Sequence, residues 1–213
     1  MKQNYQLMLE ETIREITEAN RVPRLLLHSC CAPCSSYCLE YLSDYFEITV
    51  FYYNPNIYPD EEYFHRAREQ QAFIERFPAK HPISFVEGDF DKERFFQSVK
   101  GLENEPERGA RCNVCYELRL GEAAQMAREM NMDYFTTTLS ISPMKDATLL
   151  NEIGSKLEAE YGVKYLHSDF KKKNGYKRSC ELSQEYGMYR QDYCGCVFSY
   201  NESKARRMEQ KGQ

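Results

Sequence analysis

A short apolar segment runs into a thiol-rich turn in residues 25–35, LLLHSCCAPCS. The three leucines predict a short β-strand. Two adjacent cysteines, Cys30 and Cys31, and a third, Cys34, follow where this strand should end and a helix should begin. We therefore expect the fold and the chemistry of the chain to meet at this turn.

Two further groups of cysteines lie far down the chain, in the C-x-x-C motif of residues 112–115 and the C-G-C motif of residues 194–196. Seven of the nine cysteines thus fall in three clusters, which packing alone hardly explains. Thiolates are soft ligands that suit zinc, copper(I) and iron–sulfur clusters. The pattern therefore indicates a soft-metal site, whereas Cys38 and Cys180, each alone at a helical position, are interpreted as packing residues.

The spacing of the thiols narrows the choice of metal. Structural zinc sites usually combine two paired knuckles, and neither Cys30-Cys31 nor the C-G-C motif resembles a knuckle. A [4Fe–4S] cluster also takes four thiolates. It would leave three of the seven cysteines for a second metal or for a redox-active pair.

Strands and helices alternate along the chain. The predicted strands cover residues 24–29, 47–53, 83–86, 134–138 and 163–167. The predicted helices cover residues 2–20, 35–44, 59–77, 91–99, 115–130, 147–160 and 179–186, and the chain from about 197. This alternation predicts an α/β fold with a parallel sheet of about five strands and helices on both faces. Ligands of such folds bind beyond the carboxyl ends of the strands, which is where Cys30 and Cys31 stand.

Length and composition predict the organisation of the chain. Its 213 residues predict a single domain, with an N-terminal helical extension over 1–22, a metal-binding catalytic domain over 23–200 and a helical tail over 201–213. No apolar run approaches the roughly 18 residues of a membrane span, and the charged N-terminus lacks the apolar region of a secretion signal. We therefore expect a cytoplasmic protein without a membrane partner.

Six stretches of the chain match the motifs of a known family in the same order. They are H-S-C-C-A-P-C-S at 28–35, Y-N-P-N-I at 53–57, R-C-x-x-C-Y-x-x-R at 111–119, T-T-L-x-x-S-P-x-K at 137–145, D-F-K-K at 169–172 and Y-R-Q-x-Y-C-G-C at 189–196. Together they span nearly the whole predicted domain. On these motifs the chain resembles the QueH family of epoxyqueuosine reductases.

The resemblance implies an oxidoreductase of tRNA modification that catalyses the last step of queuosine synthesis. The epoxide on the cyclopentane ring of epoxyqueuosine, at the wobble position of tRNA, is reduced by two electrons to an alkene with loss of water. The resemblance also implies a cobalamin-independent enzyme with a [4Fe–4S] cluster, a second iron, and a fold similar to the adenine-nucleotide α-hydrolases (HUP-like) without their ATP chemistry. The implied partners are tRNA bearing epoxyqueuosine in its anticodon loop and an electron donor.

The resemblance implies ligands for the cluster and leaves two roles open for the other thiols. The expected cluster ligands are Cys30, Cys31, Cys112 and Cys115. Cys34, Cys194 and Cys196 are expected to be the catalytic thiols. In one interpretation they complete the metal shells, with Cys30, Cys34 and one of the C-terminal pair holding the second iron. In the other, Cys194 and Cys196 form a redox-active disulfide, because strained disulfides are the labile, catalytic kind.

Reduction at the wobble position also needs contacts to a splayed-out base and to the tRNA backbone. The net charge of −5 excludes a global basic field, but residues 171–178 contain a local run of lysine and arginine. This run is either a nucleic-acid contact or a solvated loop. The candidates for substrate or tRNA contact are Lys145, Lys171, Lys172 and Arg190.

Two other functions fit part of the pattern. An ATP-dependent tRNA sulfur-transferase-like enzyme on the same sheet would need a phosphate loop. A Gly-rich loop often follows the first strand in such sheets, but the first glycine of this chain is Gly88, so ATP binding at the turn is disfavoured. A non-catalytic zinc-binding module would give a colourless protein that holds zinc and no iron.

Overall fold

A sheet of five parallel strands forms the centre of the computed structural model, which describes residues 3–211. The strands are β1 (Arg24–His28), β2 (Glu47–Tyr52), β3 (Ile83–Glu87), β4 (Tyr134–Thr137) and β5 (Lys164–Tyr165). The helices are α1 (Tyr5–Glu18), α2 (Ala32–Leu42), α3 (Asp60–Arg76), α4 (Lys92–Ser98), α5 (Ala110–Glu129), α6 (Ala147–Tyr161), α7 (Gly175–Glu185) and α8 (Val197–Lys211), and a 3-10 helix (Thr138–Ile141) follows β4. Within residues 3–211, no helix has the length and apolar content needed to cross a membrane. The parallel sheet with flanking helices confirms the predicted fold class.

The order of the strands creates a crevice beside the thiol-rich turn. The strands lie in the order β3-β2-β1-β4-β5, so β1 pairs with β2 on one side and with β4 on the other. His28, the last residue of β1, is in register with Phe51 of β2 and Thr137 of β4. The direction of chain progress therefore reverses between β1 and β4, and a crevice opens at their carboxyl ends. Cys30 and Cys31 lie directly beyond this end of β1.

The three leucines of β1 cover both faces of the sheet, because successive strand side chains point to opposite faces. Leu26 packs with Phe135 of β4 and with apolar residues of α5 and α6 on one face. Leu25 and Leu27 pack with Val50 of β2 and with apolar residues of α1, α2 and α3 on the other face. The run of leucines in the sequence is thus the consequence of a strand that is buried on both sides.

His28 is a structural residue of the core. Its Nε2 lies 3.1 Å from the carbonyl oxygen of Tyr53, and its Nδ1 lies 2.8 Å from Oγ1 of Thr137. Burial lowers the pKa of His28 to about 3, so the ring is neutral. Because a carbonyl can only accept, Nε2 carries the proton and Nδ1 accepts from the threonine hydroxyl.

Three helices begin earlier than the sequence predicts: α7 begins at Gly175 rather than at Ser179, and the other two carry thiols of the site. Helix α2 begins at Ala32 rather than at Ser35, since Pro33 is compatible with a first turn whose N–H groups have no partner within the helix. Helix α5 begins at Ala110, directly after Gly109, rather than at Cys115. The early starts place one thiol of the first turn and both thiols of the C-x-x-C motif on helical backbone.

Replacing Gly175 with alanine is expected to destabilise the packing of α7 against α2. A Cβ atom at this position would overlap the carbonyl oxygen of Phe170 and would lie 2.5 Å from the Tyr37 ring. Overpacking of this kind costs about 1–3 kcal/mol. Gly121→Ala is the matched control, because a Cβ atom at Gly121 would have no neighbour within 4 Å and the residue lies inside α5. Alanine at this position should raise the free energy of unfolding by about 0.5–1 kcal/mol. Urea unfolding of the reduced, metal-free protein measures both, and a Gly175→Ala variant as stable as the parent would contradict the packing.

Candidate metal centre and its cavity

Three thiols converge at the start of α2. The Sγ atoms of Cys30, Cys31 and Cys34 all lie within 4.8 Å of one another, and those of Cys30 and Cys31 are 3.8 Å apart. Cys31 directly precedes the helix and Cys34 is in its first turn, so the spacing of three residues brings their side chains to one side. Cys30 and Cys31 are buried, and Cys34 is half-buried. This triad is able to bind a metal ion.

The three thiols change one another's acidity. Hydrogen bonds from Cys31 and Cys34 hold the pKa of Cys30 well below its ordinary value, and the guanidinium groups of Arg119 and Arg66 act in the same direction. The hydrogen bonds to Cys30 and Cys31 raise the pKa of Cys34 well above its ordinary value. The triad therefore favours one thiolate that is hydrogen-bonded by two thiols. The thiolate is the form that binds metal.

The C-x-x-C motif lies in the first two turns of α5. Cys112 belongs to the same apolar cluster as Cys30, and Cys115 belongs to a smaller cluster that also contains Cys196. The backbone N–H of Arg108 donates a hydrogen bond to Sγ of Cys112 at 3.2 Å. The packing thus gathers thiols from all three motifs into one region of the protein.

The C-G-C motif forms the turn that precedes α8. Gly195 has a φ angle of 130°, which residues with a Cβ atom rarely adopt. Its carbonyl oxygen accepts a hydrogen bond from the backbone N–H of Tyr58 at 2.8 Å. Nζ of Lys145 donates to Sγ of Cys194 at 2.7 Å, and Sγ of Cys196 lies 3.4 Å from Oγ of Ser199. Both cysteines are free thiols in the structure.

A cavity of about 390 Å³ opens beside the thiols. Its wall contains Cys30, Cys34 and Cys194 together with the cationic groups of Lys145 and Arg119. Pockets for small molecules usually measure about 300–1,000 Å³. Within residues 3–211, no other three Cys, His, Asp or Glu side chains bring their ligand atoms as close together as the triad, so the thiols of 112–115 and 194–196 stand outside that 4.8 Å group.

Three residues of the site were not singled out by the sequence analysis. The guanidinium of Arg119 is buried, donates to Oδ1 of Asn54 at 2.5 Å, and leaves its Nε without a partner in the described part of the chain. Nε2 of Gln191 donates to Sγ of Cys31 at 3.3 Å. The three residues, Asn54, Arg119 and Gln191, lie within the motifs at 53–57, 111–119 and 189–196. Their membership of those motifs is the signal that could have identified them.

The predicted contact residues divide into two groups. Lys145 and Arg190 line the cavity. Lys171 pairs with Asp169 at 2.9 Å and Lys172 is exposed, and neither contributes to the cavity wall. Neighbouring basic residues of the same run are also compensated within the chain, in the ion pairs Lys173–Glu10, Arg178–Glu40 and Arg178–Glu185. Much of the positive charge of this run is therefore neutralised locally.

Comparison with known proteins gives a consistent set of relatives. The sequence model of a family described as Epoxyqueuosine reductase QueH matches residues 25–202. A protein of Streptococcus pyogenes serotype M1 named Epoxyqueuosine reductase QueH is 44% identical over 200 residues, which cover 93% of this chain and 78% of that protein. A protein of the same name from Staphylococcus epidermidis is 44% identical over 202 residues, covering 93% and 85% of the two chains. One from Thermotoga maritima is 33% identical over 191 residues, covering 87% and 94%.

Proposed function

The chain belongs to the epoxyqueuosine reductase QueH family, and from that membership we propose that it removes the epoxide oxygen of epoxyqueuosine at the wobble position of tRNA. The reaction consumes two electrons from a donor and two protons, breaks both C–O bonds of the epoxide, and yields queuosine and water. The observation that carries the proposal is the convergence of three thiols on a cavity at the switch point of the sheet. We propose that the enzyme acts in the cytoplasm, as expected for a tRNA-modifying protein.

The donor set of the site fits a thiolate-bound metal centre. Thiols dominate it, and the buried guanidinium groups of Arg66 and Arg119 retain N–H groups without a partner in the described part of the chain. Buried N–H donors without a partner are costly, and among the described residues no carboxylate pairs with Arg119 although Glu62 pairs with Arg66, so these donors support a negatively charged group nearby. We therefore propose a [4Fe–4S] cluster whose ligands are Cys30, Cys31, Cys112 and Cys115.

The three remaining thiols have the two roles that the family resemblance implies. Either Cys34 and one of Cys194 and Cys196 hold a second iron together with Cys30, or Cys194 and Cys196 cycle between dithiol and disulfide. The half-buried thiols of Cys34 and Cys194 both line the cavity, which supports a direct role near the substrate under either assignment.

When bound, the metal centre would supply electrons and polarise the departing oxygen. The chain itself supplies a buried ammonium group, because Lys145 is only 9% exposed and lies in the cavity wall. Burial lowers the pKa of Lys145, but its neighbours Cys194 and Tyr116 raise this pKa by more than burial lowers it. The net pKa is above the ordinary value, so the ammonium group stays charged. We propose that Lys145 hydrogen-bonds the epoxide oxygen as negative charge develops on it. A preorganised, buried cation stabilises developing charge more strongly than one in water.

The modified nucleoside must leave the anticodon stack to reach the cavity, as bases in RNA loops can. Tyr176 presents a 41% exposed ring at the cavity, and the guanidinium of Arg190 lies 5.8 Å from its centroid. Arg206 of α8 is an additional cation in the cavity wall. We propose that these three side chains contact the splayed-out nucleoside and its flanking phosphates.

Removing the charge of Lys171 and Lys172 together by substitution with glutamine is expected to weaken tRNA binding. Each lost phosphate contact should flatten the slope of log affinity against log salt by about 0.7–0.9. We expect the exposed Lys172 to contribute more than Lys171, which is already paired with Asp169. Lys80→Gln is the control, because Lys80 is exposed and precedes the amino end of β3, away from the carboxyl edge of the sheet. An unchanged slope in the double variant would identify the run as solvated surface.

The proposed function is tested on anaerobically reconstituted protein by measuring iron, zinc and acid-labile sulfide per chain. The same preparation is then incubated with a chemical reductant and tRNA bearing epoxyqueuosine. We expect about four sulfides with four or five irons, and a nucleoside product lighter by one oxygen in mass spectrometry. Zinc without sulfide would contradict the redox mechanism and favour the structural module. ATP-dependent incorporation of sulfur into tRNA would favour the sulfur-transferase alternative.

A further inference from the structure

A buried arginine lies beside the thiols on a helix that carries no candidate ligand. Arg66 of α3 is completely inaccessible to solvent. Its Nε donates to Oε1 of Glu62 at 2.7 Å, and its guanidinium lies 5.3 Å from the ring centroid of Tyr193. Nη1 and Nη2 have no hydrogen-bond partner among the residues that the structure describes. One side of the guanidinium is therefore anchored, and the other presents unused donors.

The unused side of Arg66 supports the C-G-C turn. A Cβ atom built on Gly195 would lie 3.2 Å from Nη1 of Arg66, 3.3 Å from Cγ1 of Ile57 and 3.5 Å from Nδ2 of Asn56. Contacts this close leave little space for a side chain at Gly195, and its φ of 130° is unfavourable for one as well. The position of the turn therefore depends on the position of the guanidinium.

The same guanidinium acts electrostatically on the first thiol turn. A guanidinium keeps its proton in proteins even when it is buried, so Arg66 is a cation near the Cys30-Cys31 turn. Arg66 thus lies within electrostatic range of thiols from β1–α2 and beneath the turn that carries Cys194.

The balance of buried charge near the thiols is positive. Arg66, Arg119 and Lys145 are all at least nine-tenths buried. Among the ion pairs formed within residues 3–211, Glu62 pairs with Arg66, and no carboxylate pairs with Arg119 or Lys145. Buried charges normally require compensation. A metal–thiolate centre, whose ligands are anionic, would provide it.

We propose that Arg66 is a positioning residue that holds the Cys194-Gly195-Cys196 turn against the Cys30-Cys31 turn and stabilises the negative charge of a metal–thiolate centre between them. The electrostatic part of this inference rests on the proposed metal centre, whereas the support of the turn does not. Loss of a nearby positive charge makes the addition of an electron less favourable. It is therefore expected to lower the reduction potential, which depends on the charge and hydrogen bonds around a cluster.

The test compares variants that keep the helix intact. Arg66→Met alone would leave the half-buried carboxylate of Glu62 without its partner and could destabilise the fold. The double variant Glu62→Gln with Arg66→Met removes both charges and avoids this unpaired carboxylate. Arg66→Lys retains the charge, and Arg68→Met alters an exposed arginine of the same helix as a control. Relative to the single variant Glu62→Gln, which has already lost the negative charge, we expect the double variant to shift the equilibrium between reduced and oxidised centre at least tenfold towards the oxidised form, which is a fall of 59 mV for one electron. Arg66→Lys should recover most of this shift, and Arg68→Met should show none.

A second measurement uses the metal-free protein and is independent of the cluster. Alkylation of Cys196 by N-ethylmaleimide, followed by mass spectrometry and normalised to Cys38, reports how firmly the turn is held. We expect it to be about tenfold faster in the double variant than in the parent. An unchanged alkylation rate would overturn the support of the turn, and an unchanged potential in an iron-loaded variant would overturn the electrostatic role. Absence of iron and sulfide from the parent would instead refute the proposed function. It would also refute the electrostatic role of Arg66, but not its support of the turn.

Discussion

Replacing Cys31 with alanine is expected to abolish assembly of the metal centre and to lower turnover of tRNA-bound epoxyqueuosine by more than a hundredfold. Cys31 is completely buried at the point where the triad forms, and its thiol is hydrogen-bonded by Gln191. Loss of a residue that merely orients a ligand already costs about 10–100-fold in metal affinity or activity, so loss of the ligand should cost more. Iron, acid-labile sulfide and anaerobic turnover measure the effect.

Cys38→Ala is the matched control for this prediction. Cys38 is also completely buried and lies on α2, but it packs in the apolar cluster on the opposite face of the sheet from the C-x-x-C motif. Its replacement should leave iron, sulfide and turnover within about twofold of the parent. Thermal unfolding of both metal-free variants separates loss of a ligand from loss of the fold. Full iron and sulfide in Cys31→Ala would remove this residue from the ligand set.

Replacing Lys145 with methionine is expected to lower kcat by about 10²–10³-fold, the usual cost of removing one preorganised donor from a charge-stabilising site. Methionine retains an unbranched apolar stem and removes the ammonium group that lies 2.7 Å from Sγ of Cys194. Because the proposed hydrogen bond from Lys145 strengthens only as charge develops on the departing oxygen, the loss should appear in kcat more than in KM. Single-turnover kinetics with saturating tRNA measure the chemical step directly.

The control for Lys145 is the exposed Lys172, whose replacement by methionine should raise KM for tRNA and leave kcat nearly unchanged. Iron and sulfide are determined for both variants, so that a loss of cluster is distinguished from a loss of catalysis. If Lys145→Met retained its metal and its kcat, the ammonium group would have no part in the departure of oxygen. Its contact with Cys194 would then be structural.

The architecture of the sheet follows closely from local patterns in the sequence. The leucines of β1 and the β-branched and aromatic residues of β2 gave strands whose ends differ by only one residue from the prediction. The alternation of strands and helices gave the parallel pairing, because a crossover helix is the usual link between parallel strands. β5 was overestimated: residues 163–167 predict five residues, but only Lys164–Tyr165 pairs with β4. Pairing at a sheet edge depends on the neighbouring strand, which a local pattern does not contain.

The helix starts were predicted less well, and they matter for the site. Cysteine has no strong preference that marks a helix start, so residues 30–34 and 112–114 were predicted to lie before their helices. In the structure Cys34, Cys112 and Cys115 all lie in the first turns of α2 and α5. There the backbone fixes the direction of each thiol.

The sequence by itself determined the fold class, the three thiol motifs and the family, because each of these is written in residues that are close together along the chain. The tertiary structure alone decided which thiols meet and which charges surround them. Arg66 shows the difference: its helical spacing from Tyr63 and Phe73 places it on the inner face of α3, but only the tertiary structure shows what its guanidinium contacts there, whereas Arg68 is exposed. Its importance lies in the Nη1 and Nη2 atoms, which have no hydrogen-bond partner among the described residues and lie beside Gly195, 129 positions further along the chain. Burial and unmet hydrogen bonds arise from contacts between distant segments, and so they exist only once the chain has folded.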